Sequence, residues 1–212
     1  KQYKILDKLC ESISNQYGRL SITIGIAEEI KDSYYPNLFN SIALIEDGKW
    51  SIIARKIILP TYDVFDEKRY FRSEKEVSIL KKKLNNKIWK IGITICEDLW
   101  VNQNIEGRGK HKQNPIFELE KHKVDILLNF SASPFTIKKI EERFKISSFA
   151  AKYLSVPLIY VNQVGANDNL IFDGNSFIID KFGNQLKQLK SCEEDFYCWS
   201  FTKKKMKLNV HN

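Results

Sequence analysis

The chain opens on apolar positions at near-helical spacing. Tyr3, Ile5, Leu6, Leu9 and Ile13 fall close to one face, and Asn15 and Gly18 then act as stop signals, which predicts a first helix. Leu20–Ile26 reads as a strand, and Ser41–Asp47 and Lys49–Arg55 read as two strands around a tight turn at Gly48. Pro60, Asp63 and the charged FDEKRYF run interrupt the pattern, which returns to strand at Lys90–Ile95. A polar, glycine-containing loop lies between Trp100 and Pro115, and Ile116–Lys121 reads as a short helix. Val124–Phe130 is an apolar strand and Ser131–Phe135 a loop. Ile137, Ile140, Phe144, Ser148, Ala151 and Leu154 then mark one face of a helix starting near Thr136. Pro157–Val161 is a further strand, and Ser176–Asp180 and Asp195–Phe201 supply two more around the KFGN turn. Hairpins mixed with crossovers predict an α+β fold with both parallel and antiparallel pairing.

Composition narrows the class. At 212 residues with 43% hydrophobic side chains, the chain can fill one sizeable core, and one domain is expected. No run approaches the roughly 20 apolar residues that span a bilayer, and the amphipathic start lacks the apolar stretch of a signal peptide. A cytoplasmic protein without membrane contact is expected. Cys10, Cys96, Cys192 and Cys198 form no CxxC pair and have no histidine set nearby, so neither a zinc site nor a disulfide framework is suggested. The net charge of +8 comes largely from lysine, in patches such as Lys81–Lys83 and Lys203–Lys205. With no nucleic-acid module beside it, this charge reads as a solvated surface and not as a nucleic-acid site.

Candidate chemistry centres on IGITICEDLW (Ile91–Trp100), where an apolar strand delivers Cys96 into an acidic, turn-prone tetrapeptide. Ligand sites in α/β proteins gather beyond the carboxyl ends of strands, although a buried structural thiol is the plain alternative. A nucleophilic cysteine needs a histidine or another cation to become thiolate. His111, His122 and His211 are poorly placed for that, whereas Lys56 closes a strand immediately before Ile57-Ile58-Leu59-Pro60.

Four segments, KIILPTYDVFDEKRYF (Lys56–Phe71), IGITICEDLW, NFSASPF (Asn129–Phe135) and YVNQVGANDNLIFDGNSFIID (Tyr160–Asp180), together resemble the nitrilase superfamily. They look most like its glutaminase branch, the ammonia-producing domain of glutamine-dependent NAD synthetases. The resemblance implies a nitrilase-like α-β-β-α sandwich and a Glu-Lys-Cys triad that removes the side-chain amide of glutamine. In that scheme Cys96 attacks the amide carbon and Lys56 favours the thiolate and the developing oxyanion, joined by a backbone N–H after the nucleophile. Glu67 matches a further glutamate near the active site, expected to orient Lys56 or the reacting water. Tyr62, Ser133 and Lys139 match substrate-binding positions, Lys139 in the first turn of a helix where an anionic α-carboxylate would offset its charge. Glu97 is expected to border the glutamine pocket, and Asp98 and Trp100 to shape the turn.

In the family the triad glutamate lies in an early strand followed by a GYP-type turn. Glu28, Glu29 and Tyr34-Tyr35-Pro36 resemble that segment only superficially, because Leu20–Ile26 corresponds to a later family strand. The base-bearing strand is therefore expected before Lys1, leaving residues 1–212 as one hydrolase domain incomplete at the N-terminus, without the SGG motif of a synthetase domain. Loss of a general base costs about 10²–10⁴-fold in rate, so little glutaminase activity is expected of this segment alone. The glutaminase reaction needs no metal or cofactor; ATP and magnesium belong to the synthetase domain. Expected partners are L-glutamine, an NAD synthetase domain or subunit, and further copies of the chain in a homo-oligomer. Two other functions stay open: a stand-alone nitrilase-family amidase on another small amide, and a non-catalytic remnant serving as an interaction module.

Overall fold

Leu6, Cys10 and Ile13 lie four and three residues apart and are all buried, so the first helix, α1 (Gln2–Tyr17), presents one apolar stripe. That stripe packs on Ile45, with Ile22, Ile26 and Trp50 completing the cluster. Tyr3 stacks on Trp50 at 5.4 Å between ring centroids, and Trp50 Nε1 donates to Asp7 Oδ1 at 2.9 Å. The sheet beneath is antiparallel and runs β1 (Ile22–Glu29), β2 (Leu38–Glu46), β3 (Lys49–Arg55) in that order. Asp47 and Gly48 join β2 to β3 with φ of 49° and 72°, the left-handed pair whose twist matches that of a hairpin. These coordinates come from a computed structural model, which describes residues 2–17, 20–32, 34–84, 86–100 and 113–200. Gly18, the loop 101–112 with His111, Phe201, Lys203–Lys205 and His211 lie outside the described residues.

Among the described residues the second sheet has six strands. The remaining elements are β4 (Ser78–Leu84), β5 (Lys87–Ile95), α2 (Pro115–His122), β6 (Ile126–Ser131), α3 (Lys139–Leu154), β7 (Leu158–Asn162), β8 (Val164–Asn167), β9 (Leu170–Asp173), β10 (Phe177–Ile179) and β11 (Gln185–Gln188). The large sheet runs β11-β10-β7-β6-β5-β4, and β8-β9 form a separate hairpin. At its centre β5, β6 and β7 are parallel, so their carboxyl ends emerge together. Leu119, Leu127, Ala151, Leu158 and Ile179 are fully buried between this sheet and helices α2 and α3. Ile42 and Ala54 from the small sheet meet Ile93 and Ile95 from the large one. The layers are thus helix, sheet, sheet, helix, the α-β-β-α sandwich the sequence led us to expect.

Several elements differ from expectation. The partner of Ser176–Asp180 is β11 and not Asp195–Phe201, whose described residues form no strand. Gln185–Gln188 is short and polar because it lies at the sheet edge, so it carries no apolar alternation. The stretch before Lys90 contains β4, whose lysine run conceals an edge strand, and β5 starts at Lys87. The NQVGANDNLIFD segment is a hairpin turning at Asp168, with φ of 51°. Helix α3 begins at Lys139 and not near Thr136, because Lys138 takes a left-handed φ of 67°.

Candidate active site

Strand β5 ends in a buried apolar run, and the chain breaks out of it at Cys96 with φ of 48° into a single 3-10 turn, Cys96–Leu99. A non-glycine residue in that region is strained, and strain of this kind persists only when its surroundings over-determine it. The surroundings here are Asp98. Its Oδ2 accepts the Ile95 N–H at 3.1 Å, while Oδ1 accepts those of Ile57 and Ile58 at 3.1 and 2.7 Å. The turn bearing Cys96 is thereby stapled to the segment that follows Lys56. Asp98 is only 2% exposed, and burial pushes its carboxyl up to about 7 against the pull of the three backbone N–H groups and the Lys56 ammonium.

Lys56 leaves β3 with its N–H on Asn40 O at 2.8 Å and its side chain 1% exposed. Its Nζ donates to Glu67 Oε1 at 2.6 Å. Glu67 opens a short 3-10 turn, Glu67–Arg69, anchored by its own N–H on Pro60 O at 3.1 Å. Burial opposes the Lys56 ammonium, but the charges of Cys96, Glu67 and Asp98 outweigh it and hold the pKa above the ordinary lysine value. For Cys96 burial wins: the thiol is pushed above its usual value, although the Lys56 ammonium pulls it down. Lys56, Glu67 and Cys96 line one cavity of about 410 Å³ with Thr23, Asn40 and Ser131. A thiol with a buried cation and a carboxylate at one cavity wall is equipped for nucleophilic attack.

The four expected substrate-binding residues do not line that cavity. Two of them meet each other: Tyr62 donates its hydroxyl to Glu97 Oε2 at 2.7 Å. Ser133 is buried, its N–H on Asn162 Oδ1 at 2.9 Å and its Oγ accepting from Arg143 Nε at 3.1 Å. Lys139, the first residue of α3, has its Nζ 4.4 Å from the Trp100 ring centroid and 3.4 Å from Glu142 Oε2. Glu28, set aside as a base, is committed to Arg55 at 2.5 Å and to Ser41 at 2.8 Å. His122 ends α2, its carbonyl accepting from Lys90 Nζ at 3.0 Å.

Arg143 escaped the sequence reading. It is fully buried, donates through Nη1 to both carboxylate oxygens of Asp173 at 2.8 and 3.0 Å, and through Nη2 to the carbonyls of Ser133 and Pro134 at 2.7 and 3.0 Å. This fork holds the loop after β6 in place. Its signal was available, since Arg143 falls three residues after Ile140 on the apolar face of α3, where a charge needs a buried partner. Among the described residues no group of three or more His, Cys, Asp or Glu is arranged to hold a metal ion, and no helix is long and apolar enough to cross a membrane.

The carbon–nitrogen hydrolase family profile matches residues 8–197. A glutamine-dependent NAD(+) synthetase from Synechocystis sp. is 43% identical over 166 residues, 77% of this chain and 29% of that protein. The enzyme of the same name from Thermotoga maritima is 33% identical over 193 residues, covering 91% of this chain and 30% of the relative. The solved glutamine-dependent NAD+ synthetase of Acinetobacter baumannii, in complex with ADP, superposes with a TM-score of 0.72 at 32% identity, over 92% of this chain and 34% of that one. The chain thus spans about a third or less of the length of these relatives.

Proposed function

The chain belongs to the carbon–nitrogen hydrolase family, and from that premise we propose that it forms the glutamine-hydrolysing domain supplying ammonia to an NAD synthetase. The carrying observation is the cavity that Cys96 lines together with buried Lys56 and its ion-pair partner Glu67. The likeness to glutamine-dependent NAD(+) synthetases supports the choice of glutamine. Cys96 Sγ attacks the side-chain amide carbon, the C–N bond breaks, and ammonia leaves carrying the thiol proton. Water then hydrolyses the thioester to glutamate and restores the thiol. Lys56 stabilises the thiolate and the oxyanion, and Glu67 holds Lys56 in line through Oε1, its Oε2 being buried without a hydrogen-bond partner among the described residues. The triad base is a second carboxylate from outside the described residues, as the family pattern implies. Tyr62, Glu97, Ser133 and Lys139 form the glutamine-binding side, with Lys139 at the α3 terminus taking the α-carboxylate. ATP and magnesium act only in the synthetase partner.

The test uses the purified chain and a glutamine analogue with a diazoketone in place of the side-chain amide. Mass spectrometry should find the analogue on Cys96, excess glutamine should block it, and Cys96→Ala should abolish it. Labelling that glutamine does not block, but another small amide does, would move the assignment to a different amidase.

A further inference from the structure

Strand β6 stops pairing at Ser131, yet the loop beyond it stays buried. The parallel ladder to β7 ends on the Ser131–Asn162 pair, with the Gln163 N–H on Ser131 O at 2.9 Å. Ser131 and Ala132 still line the Cys96 cavity, and Ser133, next along, is only 3% exposed. Its backbone N–H and C=O need partners as much as those of a strand residue do. The Asn162 side chain supplies them. Its Oδ1 accepts the Ser133 N–H at 2.9 Å, and its Nδ2 donates to Gly174 O at 3.0 Å and, at a longer 3.3 Å, to Ser133 O. A backbone N–H can only donate and a carbonyl can only accept, so these partners fix which end of the amide is oxygen.

Three segments meet on this one side chain: the end of β7 that bears it, the loop after β6, and the exit from the β8–β9 hairpin at Gly174, whose own N–H returns to Gln163 O at 3.0 Å. The position demands an amide. An aspartate of the same shape would set an oxygen against two carbonyls, and an apolar residue would satisfy none of the three groups. Arg143 grips the other side of the same serine, with Nη2 on Ser133 O at 2.7 Å and Nε on Ser133 Oγ at 3.1 Å. Ser133 is thus held at its N–H, its C=O and its hydroxyl oxygen. Because a guanidinium only donates, the hydroxyl keeps its own proton for another acceptor. Asn162 itself lines the cavity of Cys96, Lys56 and Glu67, which Ser133 does not line.

We propose that Asn162 is a positioning residue for substrate binding: from the wall of the Cys96 cavity it fixes the Ser133 peptide, and with it the hydroxyl offered to the substrate. The role rests on the proposed function, which places Ser133 on the glutamine-binding side. It ties that side of the site to the cavity of the nucleophile. Asn162 acts through Ser133 and not on the thiol, so substrate binding and cysteine reactivity should separate when it is changed.

The experiment uses the full chain, with circular dichroism as the check on folding. Hydrogen–deuterium exchange is followed on the peptides containing Ser133 and Cys96, and alkylation of Cys96 by iodoacetamide is followed with and without glutamine. In Asn162→Ala the Ser133 peptide should exchange roughly tenfold faster, and half-protection of Cys96 should need roughly tenfold more glutamine. Exchange of the Cys96 peptide and its alkylation without glutamine should stay close to the parent values. Ser133→Ala keeps the backbone groups that Asn162 holds, so adding Asn162→Ala to it should raise the glutamine requirement little further. Unchanged exchange at Ser133, equal loosening at Cys96, or a full second tenfold rise in the double variant overturns the assignment. Should Asn162→Ala not fold, Asn162→Asp, which loses both donors and keeps the shape, decides: no rise in the glutamine requirement overturns it equally. A parent chain that glutamine does not protect sinks the glutamine reading, and exchange at Ser133 in the same variants then still decides the clamp.

Discussion

Asp98 accepts the backbone N–H of Ile58 at 2.7 Å across 40 residues of sequence, and the same carboxylate accepts that of Ile95, directly before Cys96. One buried side chain thus fixes the spacing between the lysine-bearing and cysteine-bearing segments. Its carboxyl is pushed by burial to about 7, from an ordinary value of 3.8. Between those values the folded chain holds a proton that the unfolded chain has released. The contribution of Asp98 to stability is therefore complete below about pH 4, falls by up to about 1.4 kcal/mol per pH unit as pH rises, and is flat above about 7. Urea unfolding of the parent and Asp98→Asn from pH 5 to 8 checks this. The parent's advantage should shrink toward pH 7 and then level off, and an advantage independent of pH would refute it.

The Lys56–Glu67 pair should respond asymmetrically to mutation. Lys56 is almost wholly enclosed, whereas the Glu67 side chain is 18% exposed. Glu67→Gln leaves a buried ammonium without its carboxylate and should cost about 3–5 kcal/mol. Lys56→Met leaves the carboxylate on a side chain that is still 18% exposed and should cost less, about 1–3 kcal/mol. Chemical denaturation orders the two. Alkylation of Cys96 should also shift to higher pH in Lys56→Met, because the pull of the ammonium on the thiolate is lost.

Arg143→Met removes a fully buried cation and strands Asp173 and the carbonyls of Ser133 and Pro134. A loss of about 3–5 kcal/mol is expected, seen as a Tm lower by about 10 °C for a chain of this size. Differential scanning fluorimetry measures it, and a Tm within 2 °C of the parent would show that the loop holds without the fork.

Tyr62→Phe deletes the 2.7 Å bond to Glu97 and leaves the ring in place. If this pair borders the glutamine side chain, protection of Cys96 by glutamine against the diazoketone should need roughly tenfold more glutamine, equivalent to about 1.4 kcal/mol. Stability should fall by no more than about 1–3 kcal/mol.

Where one face of an element is buried, its periodicity was readable. The α1 stripe, the hairpin at Gly48 and the helical face of Ile140, Phe144 and Ala151 stood where their spacing put them. Edge elements were not readable in this way. In β4 and β11 one strand edge faces solvent, so lysine and glutamine replace the alternation that marks a strand. At the site, the pieces surrounding Cys96 and Lys56 were legible as motifs, and the cavity joins them with Glu67. What did not show in sequence was partnership. Nothing local in Arg143 names Asp173, 30 positions away, and nothing local in Thr94 names Asn129, 35 positions away, because such pairs are set by sheet register and helix docking.

Strand β4 is the outermost strand of the six-stranded sheet, and it carries Lys81, Lys82 and Lys83 in succession. Lys82 is turned back to Glu46 of the small sheet, while Lys81 and Lys83 project into solvent. A strand with a vacant ladder of backbone groups is a template on which another molecule can assemble, and a row of like charges is the device that keeps such templates apart. Among the described residues the outer edge of β4 pairs with no other strand, and its lysines act against such assembly. Their protection is electrostatic and fades as salt shortens the Debye length from about 10 Å at 0.1 M to about 3 Å at 1 M. The resistance of this edge to pairing is thus tied to ionic strength.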